Sequence, residues 1–365
     1  MTAEGMDAAT GGSATAGVRV VIIGATGNVG TSVVSALGQD PQVGSILGVA
    51  RRLPQWQPPK TEWVRANVAE DDLVSLLRGA DVVIHLAWLF QPTHDPVTTW
   101  RNNVLGGIRV FDAVADAGVS ALVYASSVGA YSPGPKDRAV TERWPTHGWP
   151  GAAYTREKAY LERVLDSFEL RNPGVRVVRL RPGFIFKQES ASEQRRLFAG
   201  PLLPNRLVRP GLIPVIPDLP GLRFQAMHTA DAAEAYRLAA LQPVRGAFNI
   251  AAEPVIDAAM LASCLNARII RVPAWPVRAA VSASWWLHLV PASPGLLDAV
   301  LRLPVMDLTR ARTELGWSAR HSSSEAIMEF LQGLRQSAGM PTPPLSPRVP
   351  GGRAREITTG IGQRP

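Results

Sequence analysis

Cysteine is almost missing from this chain: Cys264 is the single one in 365 residues. That excludes an internal disulfide and any cysteine-rich metal centre, and it fits a reducing, cytoplasmic location. Long uncharged runs are scarce as well. The longest stretch without Asp, Glu, Lys or Arg, Ala279 to Leu297, carries His288, Pro291 and Pro294, so it reads as a buried or surface-dipping helix and not as a stable membrane span. No HExxH or paired-carboxylate spacing accompanies the dispersed His85, His94, His147 and His228, so no metal site is expected, and the GxSxG turn of a serine hydrolase is absent. Negative charge is in short supply, with 30 acidic against 38 basic side chains and a net charge of +8. The basic residues are nevertheless scattered without aromatic interleaving, which argues against nucleic acid as a partner.

With 46% hydrophobic and 19% charged residues, the chain has the composition of a folded protein. Its apolar pattern alternates strand and helix. "VRVVIIG" from Val18 is a continuous apolar run suited to a central parallel strand, "NVGTSVVSAL" a helix, "SILGVARR" and "EWVRAN" further strands, "DDLVSLLRGA" a helix, and "DVVIHLA" a fourth strand in which His85 reads as a packed residue. "NNVLGGIRVFDAVADAG" reads as a helix ending at Gly118, "SALVYASS" as a fifth strand, "AAYTREKAYLERVLDSF" as a helix and "GVRVVRLRPG" as a sixth strand. The expected fold is therefore α/β, a doubly wound parallel sheet (Rossmann fold), with a smaller C-terminal substrate lobe. Residues 18–181 form the dinucleotide-binding domain, 225–252 return to it, and 182–224 with 253–335 form the lobe. A disordered leader is expected over residues 1–17 and a Pro/Gly-rich disordered tail over 336–365.

"GATGNVG" places Gly24, Gly27 and Gly30, with Thr26, Asn28 and Val29 between them, on the turn from the first strand into the first helix. Such a turn lets backbone approach a pyrophosphate, which the helix N-terminus then attracts. The second strand ends in Arg51 and Arg52 where an acidic side chain would bind a free ribose hydroxyl, so the cofactor reading leans to NADP over NAD. In "YTREK", Tyr154 and Lys158 lie four apart on one helical face, so the ammonium can favour a phenolate and reach a nicotinamide ribose. Ser127, with Ser126 as second choice, ends the fifth strand where a hydroxyl can steady charge on a reacting oxygen.

These motifs, in this order, resemble the extended branch of the short-chain dehydrogenase/reductase superfamily, the NAD-dependent epimerase/dehydratase group, over roughly residues 18 to 335. "DVVIHLAW", "NNVLGG", "RPGFIF", "FQAMHTADAAEA", "FNIA" and "ARTELGW" carry the likeness further. The resemblance implies Tyr154 as acid/base, Lys158 as its partner and ribose ligand, Ser127 on the reacting oxygen and Asn103 beside them as the catalytic set. It also implies cofactor contacts from the glycine loop, from Asn67 and Val68 near adenine, from Leu86 and Ala87, and from Pro182, Phe184 and Ile185 near nicotinamide. Two positions depart from the family pattern: Asn67 stands where aspartate is common, and Lys187 where glycine is. The implied activity is hydride transfer at a hydroxyl- or carbonyl-bearing carbon, either of a nucleotide sugar undergoing epimerisation or dehydration or, alternatively, of an apolar substrate of an NADP-dependent carbonyl reductase or hydroxysteroid-type dehydrogenase. A nonenzymatic dinucleotide-sensing regulator is a further alternative. Trp88, Leu89, Phe90 and Gln91 with Trp275, Trp285 and Trp286 point to an apolar small-molecule pocket; Arg195, Arg196, Arg206, Arg209 and Arg223 point to a nucleotide diphosphate. The sequence leaves that choice open, and a homodimer with it.

Overall fold

A computed structural model of the chain describes residues 17–203, 205, 208–348, 351–358 and 361. Residues 1–16, and so nearly all of the expected leader, lie outside the described residues, as does Arg206. Seven strands form the main sheet: β1 (Val18–Ile23), β2 (Val43–Ala50), β3 (Thr61–Arg65), β4 (Val82–His85), β5 (Ala121–Ala125), β6 (Arg176–Pro182) and β7 (Gly246–Ile250). Their order across the sheet is β7-β6-β5-β4-β1-β2-β3, and every neighbouring pair is parallel.

The apolar run of β1 is explained by burial on both faces. Val20 and Ile22 face a core shared with α1 (Asn28–Gln39) and α4 (Thr229–Leu241), while Val21 and Ile23 face a core shared with α2 (Gly106–Asp116) and α3 (Ala153–Arg171). The chain runs from β1 outward to β3, then returns to β4 on the other side of β1. That reversal puts a crevice between the carboxyl ends of β1 and β4, the place where such sheets take ligands.

The elements after β6 other than α4 and β7 lie outside this sheet. They include two two-stranded pairings, Phe184–Phe186 with Ala226–His228 and Val215–Asp218 with Arg268–Arg271, the strand Val305–Met306, which pairs with Ala139–Val140 from before β6, and the helices α5 (Ala274–Trp286) and α6 (Ser323–Gln336). Among the described residues no helix is long and apolar enough to cross a membrane.

The tail departs from its expected disorder. Leu345 is fully buried, Thr342 nearly so, and Gly352–Thr358 is helical. Proline and glycine discourage local structure, but tertiary partners satisfy the backbone here: Arg196 donates to the carbonyls of Pro344 (2.6 Å) and Ser346 (2.9 Å), and Arg195 pairs with Glu356 at 2.6 Å.

Candidate active site

The glycine loop sits at the crevice. Gly24 has φ of +89°, and a Cβ there would lie 2.6 Å from the backbone nitrogen of Ala87, so only glycine lets the β1 turn pass the end of β4. Leu86, next to Ala87, donates its N–H to Ile23. Helix α1 starts at Gly27 with no side chain capping it and no acidic residue in its first turn. Free N–H donors and the positive end of the helix dipole are thus available, which fits a dinucleotide pyrophosphate. Asn28 anchors the loop, donating to the Ile185 carbonyl (3.2 Å) and accepting from Thr229 (3.1 Å), while Val29 packs against the core. Lys187, at the departure from the family pattern, is buried and donates to Thr31 (2.7 Å) and Ser32 (3.1 Å), tying the strand after β6 to α1. Thr342 of the tail donates to the Thr26 carbonyl at 2.9 Å, closing over the same loop.

Arg51 and Arg52 lie exposed at the end of β2. Asn67 folds on itself at the end of β3, where its backbone N–H binds Asp71 and its amide oxygen accepts from Ala69, and Val68 packs against the α2–α3 core. Pro182 closes β6 opposite Ile250. Phe184, expected near the nicotinamide, has its ring edge-on to Phe224 with centroids 5.0 Å apart and is half-buried in the packing beyond the sheet.

The catalytic candidates come together. The Ser127 hydroxyl is near enough to the phenol of Tyr154 to favour its ionised form, and it accepts from the Gly129 N–H at 2.9 Å. Gly129 is itself required, because a Cβ there would lie 2.8 Å from the Tyr154 ring. Burial pushes the Tyr154 phenol up to about 12 against the opposing influence of the Ser127 hydroxyl. The Lys158 ammonium donates to the Ala125 carbonyl (2.6 Å), lies 6.0 Å from the Tyr154 ring centre, and is pushed down to about 7 by burial, opposed by Glu157 and Glu162. The Trp88 ring covers it at 3.5 Å. Ser126, the second choice, is turned away into a 2.5 Å hydrogen bond to Glu162.

Asn103 is the main correction. Its amide oxygen accepts from Leu89 N–H (2.7 Å) and its nitrogen donates to the Leu89 carbonyl (2.9 Å) and to Glu157 (2.7 Å). Both polar atoms are engaged within the protein, so Asn103 clamps the loop after β4 instead of facing a reactant. Glu157, inside the YTREK stretch, also takes a 2.6 Å bond from Thr99, a partner that sequence reasoning missed because it becomes adjacent only in the fold.

That clamped loop shapes the cavity. Phe90 stacks on Tyr154 at 5.2 Å, Trp88 meets it edge-on at 5.5 Å, and Leu197, Phe198, Pro291 and Leu296 join them in a lining whose polar members are Thr93, Thr99, Glu157 and Ser293 and which, among the described residues, has no cationic side chain. Of the arginines proposed for a diphosphate, Arg195 and Arg196 hold the tail, and Arg209 and Arg223 are exposed. His85 is packed against Phe111 and Tyr124 and kept neutral, pushed down to about 3 by burial and then by Lys158. Of the tryptophans beyond the sheet, Trp285 stacks on His94 at 4.0 Å, whereas Trp275 and Trp286 are exposed.

A glycine turn at the switch point of a parallel sheet, beside a tyrosine–lysine helix, defines a dinucleotide-binding protein of the short-chain dehydrogenase/reductase class. Residues 20–251 match the NAD dependent epimerase/dehydratase family, and the chain belongs to it. It is an NAD-dependent enzyme of the oxidoreductase/epimerase type. The chain is 25% identical over 327 residues to an uncharacterised protein of Mycobacterium tuberculosis, covering 86% of this chain and 83% of that one. It is 26% identical over 350 residues to the 4-hydroxy-2-methyl-3-oxo-4-farnesyl-3,4-dihydroquinoline-1-oxide ketoreductase of Stigmatella aurantiaca, covering 88% and 96%. The structure of the Thermus thermophilus UDP-glucose 4-epimerase complex with NAD superposes with a TM-score of 0.65 at 19% identity, covering 87% of this chain and 99% of that one.

Proposed function

We propose that the protein is a cytoplasmic NADP-preferring ketoreductase or alcohol dehydrogenase for an apolar substrate. The observation that carries this reading is the lining around Tyr154: mostly aromatic and aliphatic side chains, with Thr93, Thr99, Glu157 and Ser293 as its polar members and, among the described residues, no cation for a diphosphate. The Stigmatella relative, a ketoreductase whose substrate name includes a farnesyl group, supports it. When bound, the nicotinamide cofactor supplies or accepts the hydride at the reacting carbon. Tyr154 gives the proton to the oxygen on that carbon and Ser127 steadies it through a hydrogen bond. Lys158 holds positive charge beneath them, and Asn103 and Glu157 fix the loop that brings Trp88 and Phe90 over the site. The test is an assay with reduced cofactor. Net oxidation in the presence of hydrophobic ketones is expected, and interconversion of UDP-glucose and UDP-galactose without net cofactor change would overturn the reading.

The cofactor preference rests on Arg51 and Arg52, with Arg196 in electrostatic reach of Arg52. A charged hydrogen bond to the extra phosphate is worth about 1.5–3 kcal/mol, so Arg51→Ala is expected to weaken NADP binding by about tenfold or more while NAD changes little. Titration of the variant with both forms checks this, and an equal effect on the two removes the assignment.

A further inference from the structure

From Ala258 to Leu297 the chain has Arg268, Arg271 and Arg278 and no Asp or Glu. The middle of this stretch is α5, and none of its residues is buried. Trp275, Ala279, Ala283 and Trp286 follow one another at helical spacing and are all exposed, so they make one apolar stripe with a tryptophan at each end. Trp275 is 72% exposed and Trp286 69%, far beyond what a folded protein leaves in water for no reason. Leu287 and Leu289 extend the stripe past the helix. Before it, all of Arg268–Arg271 is exposed, with Ile269 and Ile270 between the two arginines. Trp285 and His288, by contrast, anchor the helix end against His94.

We propose that this surface docks the protein on an anionic lipid bilayer, with α5 lying in the headgroup region. Tryptophan favours that interface, where its ring is half apolar and its N–H is wet, and the flanking arginines complement anionic headgroups. Charge decides against a second copy of the chain. Arg278 is taken up by Asp298 at 2.9 Å, but Arg271 is almost fully exposed and meets Asp218 only at 4.0 Å, and Arg268 has no ion pair among the described residues, so a two-fold contact through this stripe would set these two arginines of each copy against those of the other. The same stretch continues into Pro291, Ala292, Ser293 and Leu296, which line the cavity beside Tyr154. An apolar substrate would therefore pass from lipid to the site along one continuous surface; that last step alone rests on the function proposed above.

The test is sedimentation of the full-length protein with vesicles of phosphatidylcholine alone or mixed with phosphatidylglycerol. The wild type is expected to partition onto the anionic vesicles at least about tenfold more than onto the neutral ones, and less as salt rises. Trp275→Ser with Trp286→Ser, both on the exposed face, is expected to lower partitioning by about tenfold or more at unchanged melting temperature and ketone reduction. Arg268→Gln with Arg271→Gln is expected to remove the preference for anionic lipid. Equal sedimentation with neutral vesicles or none overturns the proposal. So does a wild type that elutes as a dimer and a tryptophan variant that elutes as a monomer, neither binding vesicles. A wild type that binds vesicles but reduces no ketone leaves the docking standing and removes only the substrate reading.

Discussion

Tyr154→Phe is expected to lower kcat/KM by about a hundredfold to ten-thousandfold, the range that a positioned proton donor contributes, with cofactor affinity nearly unchanged. The substitution removes only the hydroxyl. The ring keeps its stack on Phe90 and its edge contact with Trp88, so the cavity should keep its shape. The direction of reaction matters to the argument. With burial holding the phenol at about 12, Tyr154 is protonated at any working pH, which suits a donor to the oxygen of a ketone being reduced. Lys158 sets the pH dependence. Its ammonium, pushed down to about 7, is lost as pH rises through that value, so kcat/KM for reduction should fall above about pH 7. Stability should move the other way. A lysine buried at about 7 and near 10.4 when unfolded leaves the folded state with fewer protons between those values, so its contribution to stability rises over that window. Lys158→Met should flatten both dependences. Unchanged turnover in Tyr154→Phe would remove the phenol from the mechanism.

The parts of this site that were legible in the sequence are those fixed by local periodicity. The glycine loop follows a strand recognisable by its unbroken apolar run, and Tyr154 and Lys158 share a face because the helix repeat puts them there. What the sequence hid depends on partners distant along the chain. Asn103 reads as a polar residue near the chemistry, and only the fold brings Leu89 and Glu157 to both ends of its amide. The tail reads as disordered by composition, because composition registers its prolines and not the distant guanidinium of Arg196 that satisfies its carbonyls. Tryptophans at helical spacing on α5 fit a buried face as well as an exposed one; which side packs is decided by neighbours, and α5 has few.

Glu162 is the clearest case of a residue with no signal of its own, and it carries the largest expected effect on stability. It lies four residues beyond Lys158 on α3 and is completely buried. Its carboxylate accepts two hydrogen bonds from Arg181 at 2.9 Å, one from Arg179 at 3.0 Å and one from Ser126 at 2.5 Å, joining α3 to β6 and to the strand end that carries Ser127. Burial alone would raise its pKa, but the bonds and charge of Arg181 and the charge of Arg179 hold it well below the usual carboxylate range. Glu162→Gln leaves the shape and removes the charge, so the buried Arg181 loses its carboxylate partner, while Arg179 keeps Asp166 at 2.7 Å and Glu169 at 2.9 Å. Breaking a buried pair in this way costs about 3–5 kcal/mol, and denaturant unfolding at neutral pH should show a loss of that size. The sign with pH follows from the depressed folded value. The stabilisation is fully present above the unfolded carboxylate pKa of about 4.3 and is lost as pH falls towards the folded one, so wild type and variant should converge in acid. A gap that stays constant from neutral pH into acid would mean that Glu162 acts through packing and not through its charge.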